Sequence, residues 1–135
     1  MRIRKRIIEE LAGHAKKEAP LEACGYLAAK GGMIAAMYAL TNIDKSGEHF
    51  SFDPKEQFAA VRDARTKGLE ICAVYHSHPA SPARPSEEDI KLAHDPQMLY
   101  LIVSLAQERE DVRAFRIKNK SVEPVALEVI DNAGV

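Results

Sequence analysis

The chain has 135 residues, of which 46% are hydrophobic and 29% charged, and its formal net charge is −1 at pH 7. This length and composition predict one globular domain over residues 1–130, followed by a short tail at 131–135. The small net charge gives no electrostatic reason to bind nucleic acid or an anionic membrane. No segment approaches the ~20 apolar residues of a membrane helix, and the basic N-terminus lacks the apolar stretch of a signal peptide. We therefore expect a cytoplasmic protein whose two cysteines, Cys24 and Cys72, are reduced.

Hydrophobic periodicity and turn residues divide the chain into helices and strands. In chain order the predicted elements are a helix at 3–18, strands at 24–29 and 33–40, a helix at 53–68, a strand at 69–78, a short helix at 86–94, and strands at 99–105, 112–118 and 122–129. A Gly-Gly turn joins the first two strands, and the polar stretch 41–52 is long enough to be a functional loop. Strands that alternate with helices favour an α/β fold with a mixed central sheet flanked by helices. Apolar side chains of these elements, including Phe58, Val61 and Leu92, are expected in the core.

The strand at 69–78 ends in His76-Ser77-His78-Pro79 and carries two candidate metal ligands. Side chains at positions i and i+2 of a strand point to the same face, so His76 and His78 project together, about 6–7 Å apart along the backbone. Two imidazoles at this separation can bind one ion. Ser77 points to the opposite face and is given no catalytic role.

The segment after this strand supplies a third candidate ligand. A proline-restricted loop leads to Ser86-Glu87-Glu88-Asp89, where Ser86 is the predicted N-cap and Asp89 the N3 residue of the short helix. If the loop folds the helix start against the strand end, Asp89 meets both histidines. Two histidines and one carboxylate leave one position of a tetrahedral zinc ion (Zn²⁺) for water, as in catalytic sites. Such a water has a pKa near 7, which makes hydroxide available at neutral pH.

Each part of this pattern also has a plainer interpretation. Ser-x-x-Asp before an apolar run is an ordinary helix-start signal, and two histidines two residues apart are more often surface or core residues than ligands. The combination is more informative, because the upstream segment Glu22-Ala23-Cys24-Gly25 adds a carboxylate that could serve as a general base. Together these residues favour a zinc hydrolase.

The set Glu22, His76-Ser77-His78-Pro79 and Ser86-Glu87-Glu88-Asp89 resembles the JAMM motif of the MPN/Mov34/PAD-1 family of zinc metalloproteases, in its minimal prokaryotic form. The resemblance implies a cytidine-deaminase-like α/β fold and hydrolysis of peptide or isopeptide bonds at the C-terminus of a ubiquitin-like or sulfur-carrier protein with a Gly-Gly tail. It also implies zinc ligands at His76, His78 and Asp89, a general base at Glu22 and an oxyanion-stabilising hydroxyl at Ser86. The chain lacks the long insertions with which eukaryotic members recognise ubiquitin chains.

Alternatives remain open for several residues. Glu22 could be a solvated loop glutamate, and Ser86 could only cap its helix. Cys24 is expected to be a small buried residue, although a thiol near Glu22 could compete for zinc. His49 could line a substrate groove, and neither it nor His94 is expected to be a ligand.

Three other functions compete with the hydrolase. The family also contains metal-free MPN modules that only bind other proteins. A nucleoside or base deaminase would need a Pro-Cys-x-x-Cys metal segment, which the chain does not have. A RadC-like protein would be expected to carry an additional N-terminal helical region. The identity of the carrier protein and the oligomeric state are left open.

Overall fold

A computed structural model describes residues 1–131 as three helices and eight strands. The helices are α1 (Lys5–Glu18), α2 (Pro54–Thr66) and α3 (Glu87–Leu92), and the strands are β1 (Arg2–Arg4), β2 (Cys24–Lys30), β3 (Met33–Leu40), β4 (Glu70–His78), β5 (Leu99–Ser104), β6 (Asp111–Lys118), β7 (Ser121–Val125) and β8 (Glu128–Ile130). Of the predicted tail at 131–135, all but the first residue lies outside the described part of the chain. No helix within residues 1–131 is both long and apolar enough to cross a bilayer.

All eight strands belong to one mixed sheet, in the order β7-β6-β5-β4-β2-β3-β1-β8. The pairs β4–β5, β1–β3 and β1–β8 are parallel, and the remaining neighbours are antiparallel. Strand β4, which ends in the two histidines, therefore lies near the centre of the sheet, between β2 and β5. The predicted mixed sheet flanked by helices is confirmed.

The sheet has two differently covered faces, because successive side chains of a strand alternate. On the α1 face, Tyr75 of β4 and Leu101 of β5 join one buried core with Ile7 and Leu11 of the helix. On the α2 face, His76 and Ile102 line an open groove instead. The apolar stripe of α1 thus closes one side of the sheet and leaves the other side for a site.

Two glycine positions in the β2–β3 region are required by the backbone. Gly31 and Gly32 have φ angles of +60° and +77°, the pair of positive values that a two-residue type I′ hairpin turn needs. At Gly25, a Cβ would lie 2.6 Å from the Tyr75 hydroxyl and would collide with the Tyr38 carbonyl oxygen. Gly25, three residues after Glu22, therefore allows β2 to lie close to both neighbouring strands.

Two predicted element boundaries are wrong, and both errors concern β1 and β8, the last two strands at one end of the sheet. The residues before Lys5 form β1 rather than the first turn of the helix, and Ile3 pairs with Ile34 and Val129. The single strand predicted at 122–129 is two strands, because β7 pairs with β6 at one edge of the sheet while β8 pairs with β1 at the other. Alternation alone predicts a strand without naming its partner, so the crossing between the edges was not visible in the sequence.

Three residues predicted in the core are exposed. Phe58, Leu92 and Val61 retain 69%, 55% and 37% of their accessible surface. The buried residues of α2 are the small side chains Ala60 and Ala64, so its bulky residues lie away from the sheet. Helix α3 has six residues and none of them is buried. Helical periodicity correctly predicts amphipathic elements, but it does not show which side of a weakly apolar helix packs.

Candidate metal centre

The two histidines of β4 lie together at the buried end of the strand. His76 and His78 retain only 3% and 5% of their accessible surface. Their Nε2 atoms are 3.1 Å apart, which confirms that positions i and i+2 project to one face. Ser77 points to the other face, where its hydroxyl accepts a hydrogen bond from the Ala23 backbone N–H at 2.7 Å.

Asp89 reaches both histidines from the start of α3. Ser86 and Asp89 form a reciprocal capping box, in which the Asp89 N–H donates to Ser86 Oγ at 3.0 Å and the Ser86 N–H donates to Asp89 Oδ2 at 2.9 Å. The same Oδ2 lies 3.1 Å from His76 Nε2 and 3.1 Å from His78 Nε2. The predicted N-cap and N3 positions are confirmed, and the cap holds the carboxylate at the histidines.

The three donor atoms fit a tetrahedral metal ion. They lie 3.1 Å from one another, and a zinc ion with ligand bonds of about 2.0–2.1 Å would separate its tetrahedral ligands by roughly 3.3 Å. His78 Nδ1 lies 2.8 Å from the Pro82 carbonyl oxygen, which can only accept, so Nδ1 carries the proton. In the neutral ring this leaves the Nε2 lone pair facing the other donors, as metal binding requires.

The charge of Asp89 also suits a metal ligand. Burial acts to raise the pKa of this carboxyl, but contacts with His76, His78 and the Ser86 N–H together hold the pKa well below its usual range. Burial acts to lower the pKa of His78, but the hydrogen bonds to Asp89 and to the Pro82 carbonyl and the negative charges of Asp89 and Glu22 together outweigh this, so that pKa is raised. These contacts thus favour the ionised form of the Asp89 carboxyl, which is the form that binds a metal ion.

Glu22 lies beside the histidines because of the β2–β4 register. Cys24 pairs with His76, and the next pair is tied by the Ser77 N–H, which donates to the Ala23 carbonyl at 2.9 Å. Continuing this register by one residue beyond β2 sets Glu22 against His78, and residues directly opposite on antiparallel strands share a face. The charge of His78 does act on the Glu22 carboxyl. The glutamate is buried rather than solvated, with 3% of its surface accessible.

The Glu22 carboxyl is poised between its two protonation states. Its Oε1 atom is buried and has no hydrogen-bond partner among the described residues. Burial raises the pKa of Glu22 to about 7; the histidine charge of His78 opposes this rise and the negative charge of Asp89 adds to it. A carboxyl in this state can both accept and release a proton near neutral pH.

The loop at 41–52 is tied to the Glu22 segment by Asn42, a residue that no sequence motif singles out. The buried Asn42 amide donates to the Glu22 and His49 carbonyl oxygens at 3.1 and 3.0 Å. Its Oδ1 accepts from the Asp44 N–H at 3.1 Å. A polar residue in a polar loop carries no signal that its side chain is buried, so Asn42 could not be distinguished from its neighbours.

A groove of about 500 Å³ runs over the α2 face and includes His76 and Asp89 in its wall. Its wall is largely apolar and contains, among others, Tyr26, Phe50, Phe52, Leu92, Met98, Tyr100 and Ile102. His49 lines the groove as expected, with its Nδ1 3.0 Å from Asp44 Oδ2, and His94 lines it too. Neither histidine is in the donor cluster. The groove could hold an extended chain that ends at the candidate metal centre.

Cys24 is a small core residue, as predicted. It is fully buried, and burial, together with the negative charge of Glu22, raises the pKa of its thiol to about 12. A thiol that stays protonated is a poor metal ligand, because the thiolate is the form that binds. We therefore leave Cys24 out of the candidate centre.

Comparison with known proteins shows the family to which the chain belongs. A model of the prokaryotic homologs of the JAB domain matches residues 4–118. The chain belongs to this family. The resemblance to the JAMM/MPN proteins is thereby confirmed, as is the fold that it implied.

Two relatives and one solved structure show how far the similarity extends. The chain is 31% identical over 132 residues to the CysO-cysteine peptidase of Mycobacterium tuberculosis, with 96% of this chain and 90% of the relative aligned. It is 35% identical over 88 residues to a probable TtuB-protein conjugate cleaving protease of Thermus thermophilus, covering 64% of this chain and 59% of that one. A solution structure from Desulfitobacterium hafniense matches with a TM-score of 0.90 and 41% identity, over 99% of this chain and 96% of that chain. The chain is therefore assigned as a hydrolase, which confirms that prediction.

Proposed function

We propose that this protein is a zinc-dependent peptidase or isopeptidase that hydrolyses a bond at the C-terminus of a ubiquitin-like or sulfur-carrier protein. The observation that carries the proposal is the convergence of three donor atoms, each 3.1 Å from the other two, near the buried Glu22. Two of the three donor residues, His76 and Asp89, line the groove. Two nitrogens and one carboxylate oxygen are the donors of an open catalytic zinc site rather than of a closed structural one.

His76, His78 and Asp89 would hold the zinc ion. When bound there, zinc supplies a Lewis acid and lowers the pKa of water at its open position to about 7. The chain's own part is to present the donors in the right state. The hydrogen bond from His78 Nδ1 to Pro82 orients that ring, and the contacts of Asp89 favour its ionised form; the proton that His78 Nε2 carries when the ring is charged would be displaced on zinc binding.

Glu22 would move the proton. With its pKa raised to about 7, the carboxylate takes a proton from water and, as the neutral acid, passes it to the leaving amine. The absence of a protein partner for Oε1 within residues 1–131 leaves that oxygen available for water. Burial favours the neutral acid, so the carboxyl holds the proton between the two transfers.

Ser86 would stabilise the negative oxygen that develops on the attacked carbonyl. Its Oγ accepts the capping hydrogen bond from the Asp89 N–H, and a hydroxyl that accepts can still donate its own proton. Capping and oxyanion stabilisation are therefore compatible uses of the Ser86 side chain.

The substrate assignment has two supports. The groove lining contains no lysine or arginine among the described residues and is mostly apolar, which suits an uncharged extended tail such as one ending in Gly-Gly. The two relatives are named as a CysO-cysteine peptidase and as a probable TtuB-protein conjugate cleaving protease. We also propose that the substrate ends in Gly-Gly, that the protein is cytoplasmic and that its single domain spans residues 1–130.

Metal content and cleavage of the wild type beside Asp89→Ala test this function. We expect about one zinc per chain in the wild type and none in the variant by elemental analysis. A ubiquitin-like protein ending in Gly-Gly, joined to a free amino acid or to a lysine side chain, should be cleaved only by the metal-loaded wild type, and a chelator should abolish cleavage. A wild type that stays metal-free after reconstitution with zinc would contradict the proposal and favour the silent interaction module.

A further inference from the structure

The two histidines of the candidate metal centre are held in place by different means. His78 is oriented by a hydrogen bond from Nδ1 to the Pro82 carbonyl at 2.8 Å. For His76, no hydrogen bond from Nδ1 is found within residues 1–131; its contacts are made through Nε2 and through the face of the ring. The outer torsion of a histidine side chain has a broad energy minimum, so a buried ring without such a bond needs another restraint.

The face of the His76 ring is covered by Phe50. Their ring centroids are 4.8 Å apart and the ring planes meet at 27°, which is a stacked arrangement. Two further rings lie nearby: the Phe50 centroid is 5.4 Å from that of Phe52, and Phe52 is 5.1 Å from Tyr26. Of the aromatic rings at this place, Phe50 is the one that stacks on the His76 imidazole.

The backbone on both sides of Phe50 is fixed by one buried side chain. Asn42 Nδ2 donates to the His49 carbonyl at 3.0 Å, and Asn42 Oδ1 accepts from the Ser51 N–H at 3.4 Å. The Asn42 backbone also pairs with Phe52 in an isolated bridge. The loop at 41–52 therefore presents Phe50 from a fixed position, as a restraint on a neighbouring ring requires.

We propose that Phe50 is the positioning residue for His76, holding the plane of its imidazole by stacking where His78 is held by a hydrogen bond. This role rests on the proposed metal centre. The residues that orient ligands typically change metal affinity by 10–100-fold when they are replaced. Phe50 is only half-buried, so replacing it should leave the fold intact.

Three variants of the full chain test the proposal through zinc affinity, measured by competition with a chromophoric chelator. Phe50→Leu keeps an apolar side chain without a flat ring and should weaken zinc binding by about tenfold. Phe50→Tyr restores the ring and should bind nearly as tightly as the wild type. Phe52→Leu is the matched control, because it removes a neighbouring ring of the same groove that does not stack on His76. The visible spectrum of a cobalt-substituted protein reports the geometry of the metal ligands. Among the three variants, this spectrum should change only in Phe50→Leu.

Each other outcome has a definite meaning. Wild-type affinity and spectrum in Phe50→Leu would overturn the positioning role, and so would an equal loss in Phe52→Leu, which would point to general loosening of the loop. Thermal denaturation of each variant separates that loosening from a local effect. A wild type that binds no zinc would overturn the proposed function itself and this role with it, whereas zinc binding unaffected by Phe50→Leu would remove this role alone.

Discussion

The candidate ligands and the candidate base reach the same point of the molecule by different routes. His76, His78 and Asp89 belong to one strand–loop–helix unit, in which strand alternation and a capping box set their positions. Glu22 lies two residues before β2 and is placed by the β2–β4 register. The first arrangement follows from local rules, and the second exists only when the sheet has formed.

The two regions also differ in how their polar atoms are satisfied. Asp89 Oδ2 contacts both histidines and the Ser86 N–H, so its charge is compensated before any ion is present. Glu22 Oε1 is buried with no partner in the described part of the chain. A compensated carboxylate suits a ligand of fixed charge, and an uncompensated one suits a group that gains and loses a proton.

Exchanging the base should separate the two regions most clearly. Glu22→Gln keeps the shape of the side chain but cannot accept a proton, so kcat should fall by about 10²–10⁴-fold. Zinc content should stay at the wild-type level, because the ligands are untouched. Elemental analysis and cleavage of a Gly-Gly conjugate measure both. Glu87→Gln is the control, since Glu87 is an exposed glutamate at the start of α3 and is not among the residues that line the groove. Loss of zinc in Glu22→Gln would show that the two regions are not independent.

The metal-free protein should show the same contrast in its stability against pH. The pKa of Glu22 is raised from 4.5 to about 7 on folding, so between these values the folded state binds more protons than the unfolded state. Stability from this group is therefore complete below about pH 4.5 and is lost as the pH rises to about 7. Glu22→Gln removes this loss and should be the more stable protein at pH 8, by at most about 3 kcal/mol.

Urea unfolding at pH 5 and pH 8, with chelator present, measures this difference. The raised pKa of His78 contributes a slope of the same sign in both proteins, so the comparison with Glu22→Gln is needed to isolate the glutamate. If the wild type and the variant lose stability in parallel from pH 5 to pH 8, the pKa of Glu22 is not raised on folding.

The contrast between the two regions also explains what the sequence could predict. Spacing and capping preferences predict that His76, His78 and Asp89 meet, that Ser86 caps α3 and that Ser77 points away. The structure agrees with each of these. The burial of Glu22 depends on pairing between distant segments, which no local pattern encodes. The same limit accounts for the errors elsewhere. Strand β8 pairs with β1 at the end of the sheet opposite to β7, which no local pattern indicates. The buried residues of α2 are Ala60 and Ala64, whereas Phe58 is exposed.

Asn42 links the two regions, and its loss should have the smallest effect of the three. The Asn42 amide ties the Glu22 carbonyl to the loop that carries Phe50, so Asn42→Ala leaves buried backbone carbonyls without their donor. We expect a loss of about 2 kcal/mol in the free energy of unfolding, because an unsatisfied buried polar group typically costs about 1–3 kcal/mol. Ser46→Ala is the control, since its hydroxyl makes one exposed hydrogen bond to the Glu48 N–H. Denaturant unfolding measures the stability, a cleavage assay measures kcat, and chelator competition measures zinc affinity. Because Asn42 bonds to the Glu22 backbone, kcat should fall by a larger factor than zinc affinity. An equal fall in both would mean that the loop holds the ligands as firmly as it holds Glu22.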